Sequence, residues 1–193
     1  MISFFNRQQY RHSNKIHISQ SALEHNHRQL QSLHPEAKVA PVLKNNAYGH
    51  GIKIDQKYRK GDLKEYNHWL LSVGFRQHTL GSATIIAKRD IEKISKLVDE
   101  ELSELKEVMS DYEGVLNKAE KMNPDRFNYL QLGNSWHQLH FHCIPRYSSK
   151  REFKGKVYED KTFGHPPIFV PKEEELRVEE VLPIRDYIAS HMD

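Results

Sequence analysis

With a single cysteine, Cys143, the chain has no internal disulfide available to it, which fits a reducing compartment. No apolar run approaches the roughly 18 residues of a membrane span, and Met1 to Ser13 lack the long apolar centre of a signal peptide. Neither charge sign dominates. Twenty-nine basic residues stand against 26 acidic ones, a net charge of +3, and the mild basic excess is dispersed rather than gathered into a surface for polymeric nucleic acid. These scarcities lead to the expectation of a soluble, cytoplasmic protein without a membrane partner. At 193 residues there is room for one ordinary domain of about 100–150 residues plus an appendage.

What the sequence does have is concentrated between Asn128 and Tyr147. In an extended segment side chains alternate faces, so Gln138, His140 and His142 point one way while Leu139, Phe141 and Cys143 point the other. Pro145 ends the strand and Arg146 follows as a cation at its exit. Two imidazoles and a carboxamide in a row admit three readings: a metal site, a phosphate-directed nucleophile, or a satisfied polar stripe. A closed zinc site needs four ligands, and neither Cys143 on the opposite face nor an adjacent carboxylate supplies the rest. No metal is therefore expected.

The run from Leu132 to Tyr147, Leu-Gly-Asn-Ser-Trp-His-Gln-Leu-His-Phe-His-Cys-Ile-Pro-Arg-Tyr, resembles the active-site strand of the histidine triad (HIT) superfamily, whose pattern is His, apolar, His, apolar, His, two apolar residues, often followed by Pro-Arg. Aligned on its apolar positions, Gln138 stands where the first histidine belongs, with His140 in the middle and His142 third. The resemblance implies an α+β fold, an antiparallel sheet with helices, commonly a two-fold homodimer. It also implies hydrolase or transferase chemistry on a small nucleotide conjugate, with His140 attacking the α-phosphate to give a covalent nucleotidyl-histidine that water resolves, and with no cofactor. His142 and Gln138 would complete the catalytic row, and Asn134, Ser135 and Arg146 would bind substrate. The base would lie in an apolar cleft near Trp69 to Phe75. A neutral imidazole is nucleophilic near pH 7, and dividing one displacement into two lowers each barrier. Gln138 departs from the pattern, since a carboxamide neither gains nor loses a proton. A nucleotide-binding module without turnover is the corresponding alternative.

The first 51 residues read as a different unit. Ala40-Pro41-Val42-Leu43-Lys44-Asn45-Asn46-Ala47-Tyr48-Gly49-His50-Gly51 resembles the pyridoxal-phosphate signature that opens alanine racemases, and Ile18 to Asn26 is similar to that family's beginning. By this resemblance Lys44 is the Schiff-base lysine and Tyr48 meets the cofactor phosphate, giving a PLP-binding alternative. Such enzymes are (β/α)₈ barrels of about 250 residues, and only one βαβ-like beginning precedes the change of character here. Residues 1–51 are accordingly read as a truncated racemase segment, which limited proteolysis should cut within or just after. Residues 52–65 are read as a charged, solvated connector, and 66–193 as the HIT-like domain with a C-terminal arm.

Within that domain, Trp69 to Val73 and Ala83 to Ala87 read as strands joined through Gln77-His78-Thr79-Leu80-Gly81. Gly81-Ser82 replaces the family's Gly-His pair. Ile91, Ile94 and Leu97 mark a short helix. Asp99 reads as the cap of a longer one, whose apolar face runs from Leu102 through Leu105, Val108, Tyr112, Val115 and Leu116. Phe127 to Leu132 should form a hairpin with the histidine strand through a tight Gly133-Asn134 turn. His165 reads as a loop residue, and a terminal helix from Glu173 to Ile188 as interrupted near Pro183.

Overall fold

The computed structural model describes residues 55–192, so the expectations resting on residues 1–51, including the βαβ-like opening, Lys44 and Tyr48, lie outside the described residues. A five-stranded antiparallel sheet organises the described chain, in the order β1-β2-β3-β5-β4: β1 (Asp62–Glu65), β2 (Trp69–Val73), β3 (Ala83–Ala87), β4 (Arg126–Leu130) and β5 (His140–Arg146). Helix α1 (Asp99–Lys118) connects β3 to β4. A small hairpin of β6 (Arg151–Phe153) and β7 (Lys156–Tyr158) and a last helix, α2 (Val178–Ala189), complete the unit. The α+β fold is thus the one expected from the sequence. Among the described residues no helix is long and apolar enough to cross a membrane.

Strand alternation gives the sheet two chemically different faces. Trp69, Leu71 and Val73 of β2, Ile85 of β3, and Phe141 and Cys143 of β5 belong to one hydrophobic core with Val108, Tyr112 and Leu116 of α1 and Val181, Ile184 and Ile188 of α2. Each large side chain buried this way contributes about 1.5–3 kcal/mol. The Trp69 indole donates to the carbonyl of Glu101 at 2.8 Å, which ties β2 to the first turn of α1. Trp69 and Phe75 are therefore core residues, and the apolar cleft expected there for a nucleobase is filled by packing.

Several local expectations are corrected. Residues 62–65, read as connector, form the edge strand β1, because Lys64 and Tyr66 both find Asp111 of α1 at 2.7 Å and Glu65 pairs with Lys88. Just before it Gly61 lies so close to β2 that any side chain there would run into the carbonyl of Val73. The helix expected around Ile94 is one 3-10 turn, Ile94–Lys96. Asp99 is the first residue of α1 rather than its cap. The free Val98 N–H is instead taken by Glu101 at 3.0 Å, a carboxylate that Arg89 grips with two bonds of 2.7 Å. Leu102, placed on the core face by its spacing, is 44% exposed, and buried Glu101 occupies that position with its ion pair. Pro183 does not interrupt α2, which continues through it.

Candidate active site

The outer face of β5 carries His140, His142, Ile144 and Arg146, and the chain after β7 runs across that face. Its two ends are anchored differently. Arg146 divides its guanidinium donors between that chain and β4: Nε and Nη2 on Asp160 at 2.6 and 3.1 Å, Nη2 also on the Thr162 carbonyl at 2.6 Å, and Nη1 on the His165 carbonyl at 2.9 Å and on Asn128 Oδ1 of β4 at 2.5 Å. Burial by itself would raise Asp160, but Arg146 and the N–H groups of Tyr147 and Thr162 outweigh it and hold the carboxyl below its ordinary value. This corrects the expectation that Arg146 binds substrate. With its donors committed it fastens the arm, and His165 serves through its backbone carbonyl. At the other end the Val170 N–H donates to His78 Nδ1 at 2.9 Å, and the Phe169 ring lies 4.6 Å from His78 and 5.2 Å from His142.

His140 is 5% exposed. Its Nδ1 lies 2.6 Å from the main-chain carbonyl of Gln138. A carbonyl only accepts, so Nδ1 carries the proton and the lone pair is left on Nε2. Burial lowers the pKa of this ring and the Gln138 carbonyl partly restores it, leaving a neutral imidazole at pH 7. Trp136 stacks beside it at 4.8 Å with an interplanar angle of 31°, and His142 meets it edge-on at 5.0 Å. His142 is pushed down to about 4, first by burial and then by the neighbouring His140, His78 and Arg76. Asp62 Oδ1 is the one buried side-chain oxygen or nitrogen without a hydrogen-bond partner among the described residues.

Gln138 is not part of the row. It precedes β5, and its side-chain amide donates to the carbonyls of Ala87 at 2.7 Å and Arg89 at 2.8 Å, clamping the loop to the exit of β3. What this position offers the site is its backbone carbonyl. The clamp is reinforced by Leu139 N–H to Ile91 at 2.6 Å and Ala87 N–H to Leu139 at 3.0 Å. The β4–β5 hairpin exists, but Leu130 pairs with His142, so residues 131–139 form a long loop in place of the expected tight turn. Asn134 and Ser135 are exposed on that loop and His137 is exposed as well.

Sequence reading missed His78. It stands third in the row, 6.2 Å from His142, on the connection between β2 and β3. Burial, followed by the charge of Arg76, pushes it down to about 4. A histidine isolated in a turn carries no periodic signal that would join it to a strand more than sixty residues away. The turn itself is rigid: Gln77 Nε2 donates to the carbonyls of Gly74 at 2.6 Å and Ser82 at 2.8 Å, its Oε1 accepts the Gly81 N–H at 2.7 Å, and Tyr147 reaches the Leu80 carbonyl at 2.8 Å.

No three His, Cys, Asp or Glu side chains among the described residues are placed to share a metal ion. A groove of about 820 Å³ runs along β4 between Arg126–Leu130 and Phe163–Pro167. Its Leu130 end lies beside His142 through the strand pairing.

Residues 76–149 match the HIT domain. The HIT match contains the whole imidazole row and ends just after Arg146. Residues 18–59 match the alanine racemase, N-terminal domain. No curated protein matches the chain. Solved structures similar to it include a histidine triad protein from Bradyrhizobium japonicum, at 18% identity over 70% of this chain and 97% of that one, with a TM-score of 0.45. A hypothetical histidine triad nucleotide-binding protein from Sulfolobus tokodaii has 22% identity over 67% and 84%, with a TM-score of 0.45. The NitFhit protein of C. elegans has 18% identity over 87% of this chain and 36% of that one, with a TM-score of 0.48.

Proposed function

We propose that the chain is a HIT-type hydrolase or transferase of a small nucleotide conjugate, with His140 as the nucleophile. The observation that carries this reading is the tautomer of His140: Nδ1–H is held by the Gln138 carbonyl, so a neutral ring offers its Nε2 lone pair. In the first step Nε2 bonds to the α-phosphorus as the bond from phosphorus to the leaving group breaks, and the leaving group departs with that electron pair. The ring, now cationic, keeps its Nδ1 proton against the carbonyl, which stabilises the positive charge. In the second step water attacks phosphorus, the N–P bond breaks back to Nε2, the water proton is released, and the nucleoside monophosphate leaves. His142, neutral and 5.0 Å away, is the group to contact phosphate oxygens. Asn134 and Ser135, exposed on the 131–139 loop, are proposed to reach substrate from that side. The β4 groove has the volume of a nucleoside site.

A dinucleoside polyphosphate and a nucleoside phosphoramidate are the substrates to test. Release of nucleoside monophosphate by the full chain and its loss in His140→Ala support the proposal. Nucleotide binding without turnover in both proteins would leave a binding module instead. We also propose a homodimer in solution, with the nucleotide the only small-molecule partner. Sedimentation equilibrium showing a monomer would remove the first part.

The racemase match at 18–59 is the observation favouring a second reading, PLP on Lys44 with Tyr48 at its phosphate. A yellow protein bleached by borohydride would establish it, and a colourless protein after incubation with PLP would dismiss it.

A further inference from the structure

Three features of the β2–β3 turn play no part in the chemistry at His140. The first is Arg76, an exposed guanidinium with no hydrogen bond or ion pair from its side chain among the described residues. The second is the fixed tautomer of His78. Its Nδ1 accepts the Val170 N–H, so in the neutral ring the proton sits on Nε2, a donor without a hydrogen-bond partner among the described residues. The third is rigidity, since the Gln77 amide holds both ends of the turn and Tyr147 holds its middle. The main chain of His78 closes on Arg76 through an N–H to carbonyl bond of 3.2 Å.

The position of this pair defines what it could meet. The rings that touch His140 are Trp136 and His142, whereas His78 touches His142 and Phe169. The row therefore runs Trp136, His140, His142, His78, and the turn lies beyond His142 from the nucleophile. The charge that acts on both His78 and His142 is the cation Arg76, and among the described residues no carboxylate opposes it at either ring. An unpaired cation beside a fixed N–H donor on a rigid turn is prepared for an anionic group.

We infer that Arg76 and His78 form an anion subsite adjoining His142, which takes a second phosphate or similar anionic group of the substrate, beyond the phosphorus that His140 attacks. This deepens the reading of the His140 site and rests on it for the word substrate. It favours conjugates with a charged group on either side of the scissile bond over those whose second part is a neutral amine. Phe169 and Val170 are positioning residues here, since they hold the His78 ring in the tautomer that donates.

Pyrophosphate is the probe that tests the subsite without requiring turnover. With the full chain labelled at histidine nitrogen, titrated pyrophosphate should shift the ring resonances of His78 and His142. Arg76→Gln should weaken binding by about tenfold, the loss expected for one charge-assisted contact, and Arg76→Lys by less. His140→Ala should still bind the probe. Unchanged affinity in Arg76→Gln, or His78 and His142 resonances that do not move, overturns the inference. Failure of the chemistry at His140 would look different: Arg76-dependent pyrophosphate binding together with no turnover of a dinucleoside polyphosphate by the unaltered chain.

Discussion

A glutamine amide that serves two carbonyls at the exit of β3 has no donor left for a substrate, so position 138 works through its main chain. Gln138→Ala should orphan those carbonyls and lower stability by about 2 kcal/mol, read by denaturant unfolding, while the carbonyl that orients His140 persists and turnover is largely kept. A collapse of turnover at unchanged stability would instead return the amide to the site. His140 makes the complementary prediction. Its pKa lies below the ordinary histidine value, so the free Nε2 lone pair is present at neutral pH and is lost only in acid. The rate should be flat through pH 7 and fall as pH drops through that lowered pKa, with no alkaline limb from this ring. A rate that rises into acid contradicts it.

Between elements, the Arg146–Asp160 pair decides where the C-terminal arm lies. Both partners are buried, with side-chain exposures of 5% and 3%. Removing one leaves the other charge without compensation, so Asp160→Ala or Arg146→Ala should each cost about 3–5 kcal/mol, seen as a large fall in melting temperature. If Arg146→Ala leaves stability intact and raises only KM, the substrate role read from the sequence is restored. The alternation from Gln138 to Cys143 predicts a strand with a chemical face and a core face, because a period of two is local information. Yet β5 starts later, at His140, and runs through Pro145 and Arg146, where the sequence reading puts its end and exit. Long-range competition for each group is not legible. Nothing near Arg146 in sequence announces that Asp160, Thr162 and His165 return to consume it, and nothing near Gln138 announces Ala87 and Arg89. The start of the strand is obscured for the same reason, since the clamp to β3 holds residues 137–139 off the ladder. Likewise β1 hides inside a charged stretch whose Lys64 is matched by Asp111 of α1, 47 residues away.

For the whole described unit, one face of the sheet is closed by α1 and α2 and the other keeps a row of neutral imidazoles under the arm. Holding His78 and His142 neutral has a thermodynamic consequence. Their folded pKa values, about 4, lie below the ordinary 6.5, so the unfolded chain binds more protons between those limits. Their contribution is full above pH 6.5 and declines as pH falls toward 4, a loss of about 3 kcal/mol for each ring beyond that from carboxylates. Urea unfolding across this range should show it, and His78→Gln should reduce the slope. The assembly also holds the nucleophile ready, with Trp136 on one side of His140, His142 on the other, and the Nδ1 proton pinned. The most direct test is to quench the full chain in acid-free denaturant during turnover of a dinucleoside polyphosphate and measure the peptide carrying position 140 by mass spectrometry. A mass gain of one nucleotidyl group at His140, absent in His140→Ala, is the predicted result, and turnover with no label, or with label on another residue, would contradict it.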